Sequence, residues 1–393
     1  MRKEVEALFE SHRLNQARAY SRQQRLWIIA NWLFSPLYFA LWLHPLARQW
    51  LQEHIIATLH PWGMQVAATF LVLGAGYWLL QTLLAIPREY LARRYELSTQ
   101  NWEQWITERL KAGLITGGLG MWAVLLAYGL LRITPSLWWF WMAVIGTLVM
   151  LGLQIITPIL IAPLFFHFEP LDDKDIRERI MKLTQQAGIK VVDVFRFDMS
   201  KRTEGANAAV LGIGPTQRIV VADTLLDTFP PEEAETILAH ELGHYVHKDL
   251  LLGFGLQAIT LFVAFYLVHL AISWTNPEGF SPLIVQMLPL GFLVLTLYSM
   301  VVAPLTNIWL RAREIMADLF AVLLTQKPRV YARALARLSD QNLIDPSPPA
   351  WYTWIFATHP PMEERIALVL DLAEDDRSTS TKSPKDTGVN EGG

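Results

Sequence analysis

The chain has 393 residues, 33 Lys and Arg against 36 Asp and Glu, a formal charge of −3 and no cysteine. That balance offers no basic surface to hold nucleic acid, and without Cys there is no disulfide scaffold, zinc ribbon or thiol nucleophile. Hydrophobic residues reach 52% and charged residues only 18%, with 16 Trp, which excludes a disordered chain and points to the membrane.

Six stretches contain no Asp, Glu, Lys or Arg: 26–46, 64–86, 112–131, 137–164, 250–274 and 282–310. A span needs about 20 apolar residues, so each is long enough to cross a bilayer. The regions 1–25, 87–111, 165–249 and 311–393 hold every Lys and Arg except Arg48 and Arg132. With six spans these four regions share one face, which the positive-inside rule makes cytoplasmic. Both termini are expected there, and the first span reads as an uncleaved anchor. The cluster Trp138-Trp139-Phe140-Trp141 near a span end suits an aromatic belt.

The main water-facing part is 165–249. Leu171–Ala187 has helical periodicity, and Val191–Met199 and Arg218–Ala222 are β-branched and apolar, as strands require. Asn207–Ile213 can pair with Arg218–Ala222 across Gly214-Pro215-Thr216. Asp227 or Thr228 can cap a helix that opens near Pro231. Residues 311–371 read as mostly helical, and the polar tail from about Glu374 as disordered. The expected architecture is a mainly α, polytopic helical membrane protein of about six to seven spans, with a small α+β part on the cytoplasmic side. Residues 1–164 form a membrane domain with four spans, 165–371 a second domain with two more, and 372–393 a tail.

His240-Glu241-Leu242-Gly243-His244 is an H-E-x-x-H on the helix that opens near Pro231. Residues i and i+4 share a helical face about 6 Å apart, so both imidazoles can reach one ion. Zinc takes His nitrogen at about 2.0–2.1 Å, and Glu241, one position along, sits where it can take a proton from water at the ion. A catalytic site needs a third protein ligand. His247 lies about 10 Å along the axis from His240, too far on a straight helix, and the metzincin pattern fails at His247 and Leu250. Asp249 lies almost a full turn beyond His244, and Glu278 falls on the opposite face of the membrane. Glu314, directly after the last span, remains as third ligand. Asp318, one turn on, can accept the outer N–H of a ligand histidine.

At this point the chain resembles the integral-membrane zinc metallopeptidases typified by the type I CAAX prenyl endopeptidases. The resemblance runs over roughly 25–370. It is carried by Tyr95–Trp102, Ile161–Phe165 with Pro170-Leu171, Ser200–Arg202, Asn207-Ala208, Arg218–Leu225, the histidine motif, Arg313-Glu314 with Ala317-Asp318, and Thr358–Pro361 with Arg365-Ile366. It implies His240, His244 and Glu314 as ligands of one Zn2+ and Glu241 as catalytic base. It also implies that Asn207-Ala208 lies on an edge strand that holds an extended substrate, that His359 steadies the tetrahedral intermediate, and that Arg365 orients this region. A zinc peptidase needs a donor for the developing oxyanion; Tyr331 and Tyr352 compete with His359 for that role. Ala209, Val210 and Leu211 follow the Asn-Ala pair where eukaryotic members tend to carry aromatic residues, so the chain is most similar to bacterial members.

The function expected is zinc-dependent endopeptidase action on membrane-associated or lipid-modified peptides and proteins, in the bilayer of an inner membrane if the source is bacterial. One alternative is an intramembrane site-2-type protease, with Asn276-Pro277-Glu278-Gly279 as its second motif. Another is an inert membrane scaffold that binds zinc.

Overall fold

The computed structural model describes residues 3–189, 193–212, 218–275 and 282–380. After a short turn of helix, α1 (Lys3–Glu6), come α2 (Ser11–Leu41), α3 (Pro45–Leu51), α4 (Trp62–Arg94), α5 (Trp102–Ile133) and α6 (Trp138–Ile156). A wide π-helical turn (Thr157–Ile161) and a tight 3-10 turn (Ala162–Leu164) extend α6. Among the described residues, five helical segments are long and apolar enough to cross a membrane: Trp62–Arg94, Trp102–Ile133, Trp138–Leu164, α10 (Asp249–Thr275) and Val285–Thr325. A sixth crossing exists if α2 and the stretch Pro45–Ile56 count as one, and these two are bent by 65°. The stretch 26–46, expected as a single span, is therefore broken. Pro45 lacks the N–H that would continue α2, and His44 accepts from the N–H of Leu46 to start α3 afresh. α2 also begins at Ser11, well before its apolar part.

The water-facing part is a four-stranded sheet covered by helices. β1 (Phe168–Pro170), β2 (Val194–Phe197), β3 (Ala208–Leu211) and β4 (Arg218–Ala222) are ordered β1-β2-β4-β3, with β2 and β4 parallel and the other pairs antiparallel. The expected pairing of 207–213 with 218–222 is present, Ala208 opposite Val221; its turn, 214–216, lies outside the described residues. α7 (Lys174–Gln186) occupies the periodic stretch read as helix. α8 (Asp223–Thr228) follows β4 directly, and α9 (Pro231–Val246) starts from Pro230. Asp227 and Thr228 thus close α8 and do not cap α9. The apolar face of α9 (Ala234, Ile237, Leu238, Leu242) shares one core with the strands, α12 (Pro328–Gln341) and α14 (Met362–Ser380). The motif-bearing helix is a core element of this part and not one of the candidate spans, which disfavours the site-2-type reading. The motif 276–279 on which that reading leaned lies outside the described residues.

Two features place the functional residues. α11 (Leu288–Thr325) is one 38-residue helix that begins in the membrane part and ends against α9. Gly243 permits this contact: a Cβ there would lie 3.1 Å from the Cα of Ala317 and 3.2 Å from the Cβ of Phe320. The last turns are α13 (Ala350–Phe356) and α14, which continues past Glu374 to Ser380 where irregular chain was expected. The remainder of the tail lies outside the described residues.

Candidate metal centre

On α9 the i, i+4 spacing sets the two imidazoles edge to face, with His240 Nε2 and His244 Nε2 3.2 Å apart. The close crossing at Gly243 brings Glu314 of α11 to both. Its Oε2 lies 3.4 Å from His240 Nε2 and its Oε1 3.3 Å from His244 Nε2. Three donor atoms from two helices thus converge on one point, and they form the one group of this kind among the described residues. Glu314 Oε2 is buried with no hydrogen-bond partner. Its guanidinium neighbour, Arg365 Nη1, is 3.6 Å away; a buried carboxylate oxygen without a close donor is costly, and a cation at the convergence point would satisfy it together with both imidazoles. The donor set therefore fits a divalent metal ion.

The outer ring nitrogens are held by carboxylates. His240 Nδ1 lies 2.9 Å from Asp318 Oδ1 and 3.0 Å from the Tyr331 hydroxyl. Tyr331 donates to Asp318 at 2.6 Å. Arg365 forks onto Asp318, Nε to Oδ2 at 2.8 Å and Nη2 to Oδ1 at 2.6 Å. Tyr331, Asp318 and Arg365 are all buried, so this ion pair is shielded from water and geometrically fixed. His244 Nδ1 has its own carboxylate, Asp249 Oδ2 at 2.8 Å, and Arg313 pairs with Asp249 in turn. Arg313 also donates to the carbonyl of His247 at 3.2 Å. Each histidine of the donor group is thus backed by an Asp–Arg pair. Asp318 and Arg365 were singled out in the sequence; Asp249 and Arg313 were not given this part.

Charge follows from this geometry. Burial disfavours the charged His240 imidazole, but the hydrogen bonds to Asp318 and Glu314 outweigh it and push the pKa up to about 9. The carboxylates around the histidines demand positive charge, which a proton or a metal ion can supply. Burial pushes the Glu241 carboxyl upward, partly offset by the two imidazoles.

One cavity of about 540 Å³ opens onto these groups, and its lining includes His240, Glu241, Glu314, His359, Asn207 and Ala208. His359 Nε2 lies 3.3 Å from Glu314 Oε1, with 58% of its side chain exposed. Its Nδ1 lies 2.8 Å from the Thr358 hydroxyl; a hydroxyl donating there leaves the ring N–H on Nε2, toward the cavity. Desolvation lowers the His359 pKa. Of the two rival donors, Tyr352 also lines the cavity, whereas the Tyr331 hydroxyl is spent on His240 and Asp318. β3 ends the sheet, and the carbonyl of Asn207 accepts from Ala222 N at 3.0 Å. The alternation of an antiparallel ladder then turns the N–H of Ala208 away from β4. That N–H donates to the side-chain oxygen of Asn207 at 2.9 Å. His247, set aside as a ligand, caps α9 and packs on Phe320.

Residues 170–373 match the sequence profile of peptidase family M48, and residues 1–167 match that described as CAAX prenyl protease N-terminal, five membrane helices. The chain is 29% identical over 300 residues to the uncharacterized metalloprotease YhfN of Bacillus subtilis, covering 73% of this chain and 70% of that protein. It is 26% identical over 324 residues to CAAX prenyl protease 1 of Saccharomyces cerevisiae, covering 75% and 70%. It is 32% identical over 241 residues to the CAAX prenyl protease 1 homolog of Oryza sativa, covering 60% of this chain and 55% of that one. The crystal structure of S. mikatae Ste24p shares the fold, with a TM-score of 0.74 at 22% identity over 93% of this chain and 90% of that one.

Proposed function

The chain belongs to peptidase family M48 and is a multi-pass membrane metalloendopeptidase; from that premise we propose that His240, His244 and Glu314 hold one zinc ion. The observation that carries this reading is the donor triangle, with edges of 3.2, 3.3 and 3.4 Å. Two ligands at about 2.0–2.1 Å in a tetrahedral zinc site lie about 3.3 Å apart, so the triangle has the size that three such ligands would need. When bound, the ion supplies a Lewis acid that polarises the scissile carbonyl and lowers the pKa of water.

The remaining roles belong to the chain. Glu241, in the cavity and with its pKa raised, takes the proton of the attacking water and passes it to the leaving amine. His359 donates to the developing oxyanion from the cavity wall. Asp318 and Arg365 hold the His240 ring. The outward N–H of Ala208 lies on the free edge of β3, where an extended peptide can add as a further strand. The substrates are membrane-associated peptides or proteins, lipid-modified ones included. Two supports for this class are the relatives named CAAX prenyl protease 1 and the lining of the cavity by Tyr20, Gln24 and Arg25 of α2 and Glu314 of α11, beside the apolar stretches of both helices. The Lys and Arg asymmetry of the connections supports a cytoplasmic position for the site and both termini.

The Glu241→Gln variant tests this. It should bind zinc as tightly as the wild type while cleavage of a peptide library in vesicles falls at least about 10²-fold. Undiminished cleavage by that variant would falsify the assignment, and bound zinc with no turnover by the wild type would favour an inert scaffold.

A further inference from the structure

α13 is too short to cross a bilayer, yet it exposes two tryptophans. Trp351 is 50% and Trp354 61% exposed, and their i, i+3 spacing puts them on one face of the helix. The other side of α13 is anchored. Phe356 meets Trp32 edge to face with centroids 5.5 Å apart, and the Arg25 guanidinium lies over the Tyr352 ring at 5.6 Å. Carbonyls at the C-terminal end of α13 accept from side chains of α11. Asn307 Nδ2 donates to Ile355 O at 2.8 Å, and Arg311 Nη1 to Thr353 O at 2.9 Å and Ala357 O at 2.7 Å.

Those two α11 residues mark a level. Just before and between them α11 turns Val301, Leu305 and Ile308 outward, 67%, 60% and 45% exposed, as the surface of a span does. From Arg311 onward the helix carries charge. α13 is therefore pinned where the apolar surface of α11 gives way to water, and Glu363 and Glu364 lie beyond it on the water side, at the start of α14. Tryptophan, apolar with one N–H, is the residue that partitions to this level.

We propose that α13 is an interfacial foot whose partner is the lipid bilayer, with Trp351 and Trp354 seated at the boundary between headgroups and acyl chains. Asn307 and Arg311 hold α13 at the level where the exposed apolar residues of α11 end, which is why lipid rather than a second copy of the chain is the occupant. Ala357, Thr358 and His359 follow α13 directly, and His359 sits 3.3 Å from Glu314. Seating the foot in the leaflet fixes the height of His359 over the metal-binding residues. That link rests on the reading of the site given above; the seating itself does not.

The absence of cysteine makes the test clean. Trp351→Cys and Trp354→Cys, each carrying a nitroxide, are compared in phosphatidylcholine–phosphatidylglycerol vesicles with Val301→Cys in the span and Glu364→Cys on the water side. Relaxation by oxygen and by a water-soluble nickel complex is read at each label. At 351 and 354 the ratio of oxygen to nickel accessibility should fall between those of the two reference sites. Nickel accessibility equal to that at 364 would place α13 in water and overturn the proposal. Protection from both reagents would place it against protein, a second copy included, and overturn it equally. Should the cysteine variants misfold, the intact protein and the Trp351→Phe/Trp354→Phe variant are compared for fluorescence quenching by lipids with a nitroxide near the top of the acyl chain. The variant should lose part of the wild-type quenching, and identical quenching would reject the foot.

Discussion

Gly243 and Ala317 meet so closely that one added carbon on the first would stand 3.1 Å from the Cα of the second. This crossing carries Glu314 to the two histidines, so the third corner of the donor triangle depends on a missing side chain. Gly243→Ala forces α9 and α11 apart. Overpacking of this kind costs about 1–3 kcal/mol, and zinc affinity should fall at least about tenfold, since ligand geometry is what the site supplies. Competition with a chromophoric chelator measures it; unchanged affinity would show that the helices yield without moving the ligands.

Asp318 and Asp249 hold their histidines in unequal surroundings. Asp318 is fully buried, whereas 11% of the Asp249 side chain is exposed. Replacing either by Asn should weaken zinc binding by about 10–100-fold. Only Asp318→Asn also strands a buried guanidinium, that of Arg365, which costs about 3–5 kcal/mol where such pairs are broken. Thermal unfolding in detergent should therefore separate the two variants, with Asp318→Asn much the less stable. Equal losses would mean that the Arg365 fork contributes no extra stability.

His359 touches Glu314 but is not a corner of the triangle. His359→Ala should leave zinc content unchanged and lower kcat by about 10²–10³-fold with little change in KM, as loss of an oxyanion donor does. Loss of zinc in this variant would assign the ring to the metal instead.

Asp340 links α12 to the N-terminal segment by accepting from the backbone N–H of Glu10 at 3.2 Å. Burial pushes its carboxyl up to about 6 from an ordinary 3.8. The folded state then holds a proton that the unfolded chain has released between pH 4 and 6, so this group's contribution is largest below pH 4 and is lost as pH rises through 6. Asp340→Asn keeps an acceptor and removes the charge. Its Tm should match that of the wild type at the acid end and exceed it by a few degrees above pH 7. A constant offset across that range would assign the difference to something other than ionisation.

The motif on α9 was legible because its chemistry is local: four residues along a helix always place two side chains on one face. Glu314 was legible by elimination among few carboxylates. The partner of His244 was not. Asp249 was set aside on the axial rise of a straight helix, but α9 ends at Val246, and Lys248 takes a left-handed conformation at φ 55° that folds the chain back beneath His244. Nothing about a lysine announces that turn. Tyr331 read as a rival oxyanion donor, and its burial against His240 depends on packing between α9, α11 and α12 that only the tertiary structure sets. The charge-free stretch 26–46 looked like one span because hydropathy registers length and not the break that Pro45 imposes.

α11 runs unbroken for 38 residues from Leu288 to Thr325, with lipid-facing Val301 and metal-facing Glu314 on the same rod. A bilayer thinner than its hydrophobic length is accommodated by tilting such a rod. A tilt of α11 that α9, packed against it, does not share would change the spacing of the donor triangle. The expected outcome is a change in turnover between vesicles of short-chain and long-chain lipid, and equal turnover would show that the two helices move together.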